Sequence, residues 1–287
     1  MLRSGALLIL VVCIGLFAGC GPGSFAGKDP ESLIRTGAEL LASFAFAEAE
    51  PRLRVAREEV EPGSELWQKA TFLLAVSLRH QTPPSPRKIE EARLLLETLL
   101  QEAPESRYAP DALIALARLD ELRNFPGDPV NPEGAARRYR EVLERFPDSD
   151  LADLAFLRLA AQGTLDAGNL EAARQTVALL EARMAERPDS PYRWAYWELL
   201  ASINRLLLKD RPAALRAMIE ADRSSLNAEG RRGTLFWNIA TLAEELGDRK
   251  TAELYYKRLW EKAPRSLRNT EAKARYEALR AERGGEG

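Results

Sequence analysis

The chain has 287 residues, a formal charge of −2, two cysteines and one histidine. A His-rich metal site is thereby excluded, any Ser–His–Asp or Cys–His device would have to use His80, and the balanced charge gives no reason to expect nonspecific nucleic-acid binding. Alanine and leucine supply 89 residues against 26 for valine, isoleucine and threonine, so residues suited to helices far outnumber those suited to strands and an all-α protein is predicted.

The N-terminus places Arg3 before an apolar run from Ala6 to Ala18, followed by Gly19 and Cys20. A basic start, a short apolar core and small residues at the end describe a secretory signal over residues 1–19. The run has 13 residues, whereas a membrane-spanning helix needs about 20. Phe17-Ala18-Gly19-Cys20 resembles the lipobox of bacterial lipoproteins, with Phe17 in place of the usual Leu. That resemblance implies that Cys13 leaves with the signal and that Cys20 is lipidated and becomes the first residue of the mature chain. Several acyl chains together hold a membrane firmly. Gly21, where Asp would imply inner-membrane retention, implies the periplasmic face of the outer membrane. Residues 20–29 read as a flexible tether.

A repeat begins at Pro30. Pro-x-Ser recurs at Pro30, Pro62, Pro104, Pro147, Pro188 and Pro264, with Asn227 where one further Pro would stand; the spacings run from 32 to 43 residues. Eight residues after these markers stand Ala38, Ala70, Ala112, Ala155, Tyr196 and Leu235. Leu74-Ala75, Leu116-Ala117, Leu159-Ala160, Leu200-Ala201 and Ile239-Ala240 follow four and five later. Ala92, Ala135 and Ala252 precede the next Pro by twelve residues, with Leu96, Tyr139 and Tyr256 four further on. Pro stops one helix, and Ser two residues later can cap the next. Small residues let helices approach, and residues at i and i+4 form a buried stripe. Each unit is therefore a helix pair that buries its apolar face only by stacking on its neighbours.

The register resembles the tetratricopeptide repeat over residues 30–266, including the Gly247-Asp248 turn ahead of Ala252. The resemblance implies an all-α right-handed solenoid of about six helix pairs, with a capping helix in 267–287 and disorder at Gly284 to Gly287. Ala103 to Ala112 and Ala136 to Ser149 resemble, more narrowly, the repeats of the lipoprotein of the β-barrel assembly machinery and of the Tol–Pal-associated periplasmic coordinator. Two Pro-rich connections, Gln81 to Arg87 and Arg123 to Gly134, fall within repeats as surface insertions.

No catalytic motif, cofactor loop or metal-ligand spacing is present. His80, beside Arg79, closes a helix and reads as a cation favourable to the helix dipole. The pairs Glu58-Glu59, Glu90-Glu91 and Glu244-Glu245 diverge by about 100° around a helix and do not converge on one substrate. Tyr196 and Trp197 occupy core registers, whereas Trp194 lies outside them and is a candidate interface anchor. In the tetratricopeptide family the first helix of each pair lines a concave groove. That geometry implies a partner-binding set of Arg79, Arg118, Glu121, Trp194, Glu198, Arg205, Trp237 and Glu244, with Ser202 and Thr241 beside them. The set is mixed in sign and lacks the repeated Lys and Asn that grip a terminal carboxylate in chaperone adaptors of the family. The function expected is a non-enzymatic scaffold for envelope proteins or peptides in cell-envelope assembly or maintenance. An enzyme or accessory subunit acting on peptidoglycan is the alternative.

Overall fold

The computed structural model describes Phe25 and residues 27–165, 169–224 and 229–285. Cys13, Cys20, Asn227, Glu286 and Gly287 lie outside the described residues. All regular structure among those described is helical, as the composition predicts. The chain falls into two compact units, one reaching to Ala109 and the other starting at Pro110. The first contains α1 (Pro30–Ala42), α2 (Phe46–Glu59), α3 (Glu65–Arg79) and α4 (Pro86–Glu102). The second contains α5 (Ala109–Glu121), α6 (Pro132–Arg145), α7 (Asp150–Leu165), α8 (Leu170–Glu186), α9 (Arg193–Ile203), α10 (Arg211–Ser224), α11 (Glu229–Glu245), α12 (Arg249–Lys262) and α13 (Asn269–Gly285). No described helix is long and apolar enough to cross a membrane.

The Pro-x-Ser marker acts in three different ways. Ser64 is an N-cap, its hydroxyl accepting from Trp67 N at 3.2 Å. Ser149 directly precedes α7 and accepts from Leu151 N. Ser106, Ser190 and Ser266 stand three residues ahead of their helices and accept from Tyr108 N, Tyr192 N and Arg268 N, fixing a single turn that leads the chain into the helix. Ser32 is not a cap. Pro30 itself opens α1, because a residue without an N–H fits the first helical position, so Asp29 takes the capping role and accepts from Ser32 N at 2.9 Å.

The small residues of the register sit where helices touch. Ala70, Ala112, Ala155, Ala92, Ala135 and Ala252 are fully buried. In the first pair Gly37 makes the close approach in place of Ala38, since a Cβ at Gly37 would lie 2.6 Å from the Leu53 side chain. Leu159 and Ala160 are only half-buried, unlike their counterparts. In the second unit a cluster of buried apolar residues runs from Leu157 to Tyr276.

The first unit carries an ionic network between α2 and α4. Glu50 accepts from Lys88 at 2.8 Å, from Gln81 at 2.7 Å and from Arg54 at 2.9 Å, and Arg54 also reaches Glu91 at 2.6 Å. Burial alone would raise the Glu50 carboxyl, but the bonds from Lys88, Gln81 and Arg54 outweigh it and hold the group at about 2, below its ordinary 4.5. A depressed folded-state value stabilises the fold above the unfolded value, and that contribution disappears as the pH falls from about 4.5 to about 2. Solvent screening limits it to about 1–2 kcal/mol. Glu50→Gln is expected to lower the Tm of the first unit near neutrality and to flatten its fall in acid. An unchanged acid slope in that variant would assign the acid sensitivity elsewhere.

Several expected boundaries shift. The Pro-rich connections are shorter than predicted, because Pro86 and Pro132 open α4 and α6 instead of ending the loops. Gln81 donates to Glu50 on α2 and accepts from Lys88 on α4, and Asn124 donates to Leu119 O on α5 and to Asp128 Oδ2, so each connection is tied to neighbouring helices. Phe25 is buried against Leu33, Ile34 and Ala56 with the Arg52 guanidinium 4.8 Å from its ring centroid, and a ring of that size gains from exclusion of water. At the far end α13 runs from Asn269 to Gly285. His80 stacks on Phe46 at 5.2 Å, and burial together with Arg79 pushes its pKa down, which favours the neutral ring over the expected cation.

Candidate functional site

Four residues of the expected groove, Arg79, Glu121, Arg205 and Glu244, share one register position, seventeen after the marker. The structure gives this position differing roles. Glu121 accepts from the Tyr139 hydroxyl at 2.9 Å and pairs with Arg118 at 2.8 Å, so three residues of α5 and α6 satisfy one another. Glu244 accepts from the Tyr256 hydroxyl at 2.7 Å and lies 3.3 Å from Arg275. Burial, joined by the adjacent carboxylate, pushes both phenols well above their ordinary value, so each stays a hydrogen-bond donor. In the fourth pair Thr164 takes the position and its hydroxyl lies 2.6 Å from that of Thr176. Arg205 is exposed on a π-helical segment, Asn204–Leu208, that continues α9. Arg79 lies in the last turn of α3, in the other unit.

Trp194 is half-buried in the first turn of α9, with Tyr196 buried and Trp197 half-buried after it. Of the expected set, Glu198 and Trp237 line open space, as does Ser202 beside them. Glu198, Ala201 and Ser202 on α9, with Met218 and Ala221 on α10, face Thr234, Leu235 and Asn238 on α11 across a cavity of about 390 Å³. Small side chains at 201, 202 and 221 leave this space unfilled, and only Glu198 of its walls carries charge.

Thr234 and Asn238 also line a second cleft of about 1160 Å³, between α11 and the turn joining α12 to α13. Its floor is Trp237, which packs edge-on to Tyr256 at 5.6 Å. The Arg268 guanidinium lies 4.9 Å from the indole centroid and donates to Glu271 at 2.8 Å. Gly233 helps set the width: a Cβ there would lie 3.0 Å from the Ser266 side chain, a contact tight enough that the turn would have to shift slightly away from α11. The outer wall carries Lys262, Arg265 and Leu267, all exposed. The sequence reasoning did not single out Met218, Lys262, Arg265 or Arg268. Thr241, placed near the groove by the family geometry, uses its hydroxyl locally, donating to Trp237 O at 2.9 Å.

Among the described residues no group of three or more His, Cys, Asp or Glu side chains is placed to hold a metal ion. The arrangement supplies shape, one indole, cations and apolar lining, which is the chemistry of binding.

No curated protein matches the chain. Among solved structures, PilF of Pseudomonas aeruginosa is similar with a TM-score of 0.55 and 18% identity, covering 85% of this chain and 96% of that one. A Bacteroides ovatus chain named as a candidate protein-binding protein covers 76% and 99%, at 16% identity and a TM-score of 0.30. The tetratricopeptide-repeat family profile matches residues 235–266, which span most of α11, all of α12 and most of the turn that walls the second cleft. The match and the likeness to PilF give the fold: an all-α chain of tetratricopeptide-type helix pairs.

Proposed function

We propose that the protein is a non-enzymatic scaffold that binds a segment of a partner protein, held by lipid on Cys20 at the periplasmic face of an outer membrane and acting in envelope assembly or maintenance. The observation that carries the binding role is a pair of neighbouring clefts that share the walls Thr234 and Asn238, one between α9, α10 and α11 and one between α11 and the α12–α13 turn, inside and beside the matched repeat. Stacked helix pairs offer such surfaces for extended or helical segments. The anchoring role is supported by the resemblance of Phe17 to Cys20 to a lipobox behind a short apolar run.

Two experiments test the two halves. Cys20→Ala is expected to move the protein from the membrane fraction to the soluble fraction; a variant that still sediments with membranes overturns the lipid anchor. A photocrosslinking residue in place of Glu198 or Trp237 is expected to capture defined envelope proteins in intact cells, and one in place of Leu94, exposed on α4, is not. Equal capture from all three positions, or none, overturns the binding role of the cleft.

A further inference from the structure

One residue stands directly after each marker proline, and as a rule it is acidic. It is Glu31, Glu105, Asp148 and Asp189 in four repeats and Gly63 in another. An acidic residue just ahead of a helix favours the positive N-terminal end of that helix, and a basic one opposes it. The last junction breaks the rule with Arg265, and it adds Lys262 two residues before Pro264 and Arg268 immediately before α13. Among the described residues Lys262 and Arg265 have no carboxylate within ion-pairing distance, and both are exposed. Lys262, in the last turn of α12, suits the negative end of that helix, whereas Arg265 opposes the positive end of α13, and an unpaired cation set against its local helix points to a role outside the fold.

The same notch exists in the first unit with the opposite charge. There Gly63, Glu65 and Gln68 face the turn Glu102 to Arg107 across about 510 Å³, with Glu65, Glu102 and Glu105 against Arg107. Of these two notches, the one in the first unit is lined mainly by carboxylates and the one in the second unit by cations. All charged residues lining the second-unit cleft are cations: Lys262, Arg265 and Arg268. Leu267 stands fully exposed between the two arginines, an apolar residue on the rim of a charged cleft. Next to it, through the shared walls Thr234 and Asn238, lies the unfilled apolar cavity of Ala201, Met218, Ala221 and Leu235.

We infer that this composite site, in the cleft between α11 and the α12–α13 turn, binds an extended acidic segment of a partner protein that carries a bulky apolar residue beside its carboxylates. The inference rests on the scaffold reading and names the chemistry of the partner. The carboxylates meet Lys262, Arg265 and Arg268, the apolar residue enters the cavity beside Met218 and Leu235, and Trp237 supports the chain between them. Glu198 in the wall of the cavity disfavours a carboxylate there, so the apolar residue and not the carboxylates enters it. The concavity favours a peptide over an anionic bilayer, since a flat surface reaches only the rim.

The test uses the full chain in detergent and a short labelled peptide of alternating Glu and Leu, followed by fluorescence anisotropy, with a Lys-Leu peptide as control. Saturable binding of the acidic peptide alone is expected, weakening as salt is raised. Lys262→Glu with Arg265→Glu should weaken it about tenfold or more. Both residues are exposed, so an unchanged circular-dichroism spectrum is expected alongside. Ala221→Leu, which fills the cavity, should weaken binding by a smaller factor, and Glu102→Lys in the first-unit notch should leave it unchanged. No saturable binding, or binding indifferent to the charge reversal, overturns the inference. So does self-association abolished by the same reversal, which would make the occupant a second copy, and so does binding to phosphatidylglycerol vesicles that the peptide does not displace. If the peptide fails while crosslinking at Glu198 and Trp237 still captures envelope proteins, this inference falls and the scaffold reading stands.

Discussion

Asp153→Ala is expected to destabilise the second unit by about 3–5 kcal/mol, the usual cost of removing one partner from a buried ion cluster. Asp153 lies on α7 with no exposed surface. Its Oδ1 accepts from Arg183 Nε at 3.1 Å and from the Tyr196 hydroxyl at 3.0 Å, and Arg187 Nε lies 3.1 Å from its Oδ2. Helices α7, α8 and α9 and the residue after α8 therefore meet at a single carboxylate. Without it, two guanidinium groups keep their desolvation and lose the charge that offsets it. The Tyr196 hydroxyl, driven upward in pKa by burial and by Asp153, also loses its acceptor. Both arginines retain some access to water, which places the result toward the lower end of the range. Asp153→Asn keeps an acceptor for Tyr196 and should cost less. Urea unfolding followed by circular dichroism measures both. A shift below about 1 kcal/mol for Asp153→Ala would show that apolar packing alone fixes these three helices.

Tyr139→Ala should cost a comparable amount, about 3–5 kcal/mol, for a different reason. The ring is completely buried on α6, in the register position four residues after Ala135. Truncation leaves a cavity in a stack whose neighbours are held by their own partners. Tyr139→Phe isolates the hydroxyl. Glu121 then loses the donor at 2.9 Å but keeps Arg118, so the expected cost is about 1 kcal/mol. The same comparison at Tyr256, whose hydroxyl reaches Glu244, should give the same order of effects, because the pair is a repeated feature of the fold. Equal losses for Tyr139→Phe and Tyr139→Ala would place the stabilisation in the hydrogen bond and not in the ring.

These bonds also show where sequence reasoning reached its limit. The positions of Tyr139 and Tyr256 were legible from their spacing to Ala135 and Ala252, and so was their burial. Glu121 and Glu244 were equally visible, but as polar residues at one groove register. Periodicity reports which face a residue occupies; it does not report that a tyrosine from the next helix reaches across to it. Asp153 carried no signal at all, because a buried carboxylate and a surface one look the same until the two arginines, thirty or more residues away, are brought to it. The charge of the last junction was present in Lys262, Arg265 and Arg268, but its meaning depended on a cleft that spacing does not reveal.

The sequence by itself determined the all-α class, the helix pairs and their markers, because proline, alanine and leucine act over a few residues and repeat at fixed intervals. It also carried the lipobox-like segment at Cys20, a purely local signal. The tertiary structure alone decided which polar residues are consumed inside the stack and which line open space. That distinction depends on contacts between residues far apart in the chain, and on gaps such as the one beside Met218 that small side chains leave only when three helices come together.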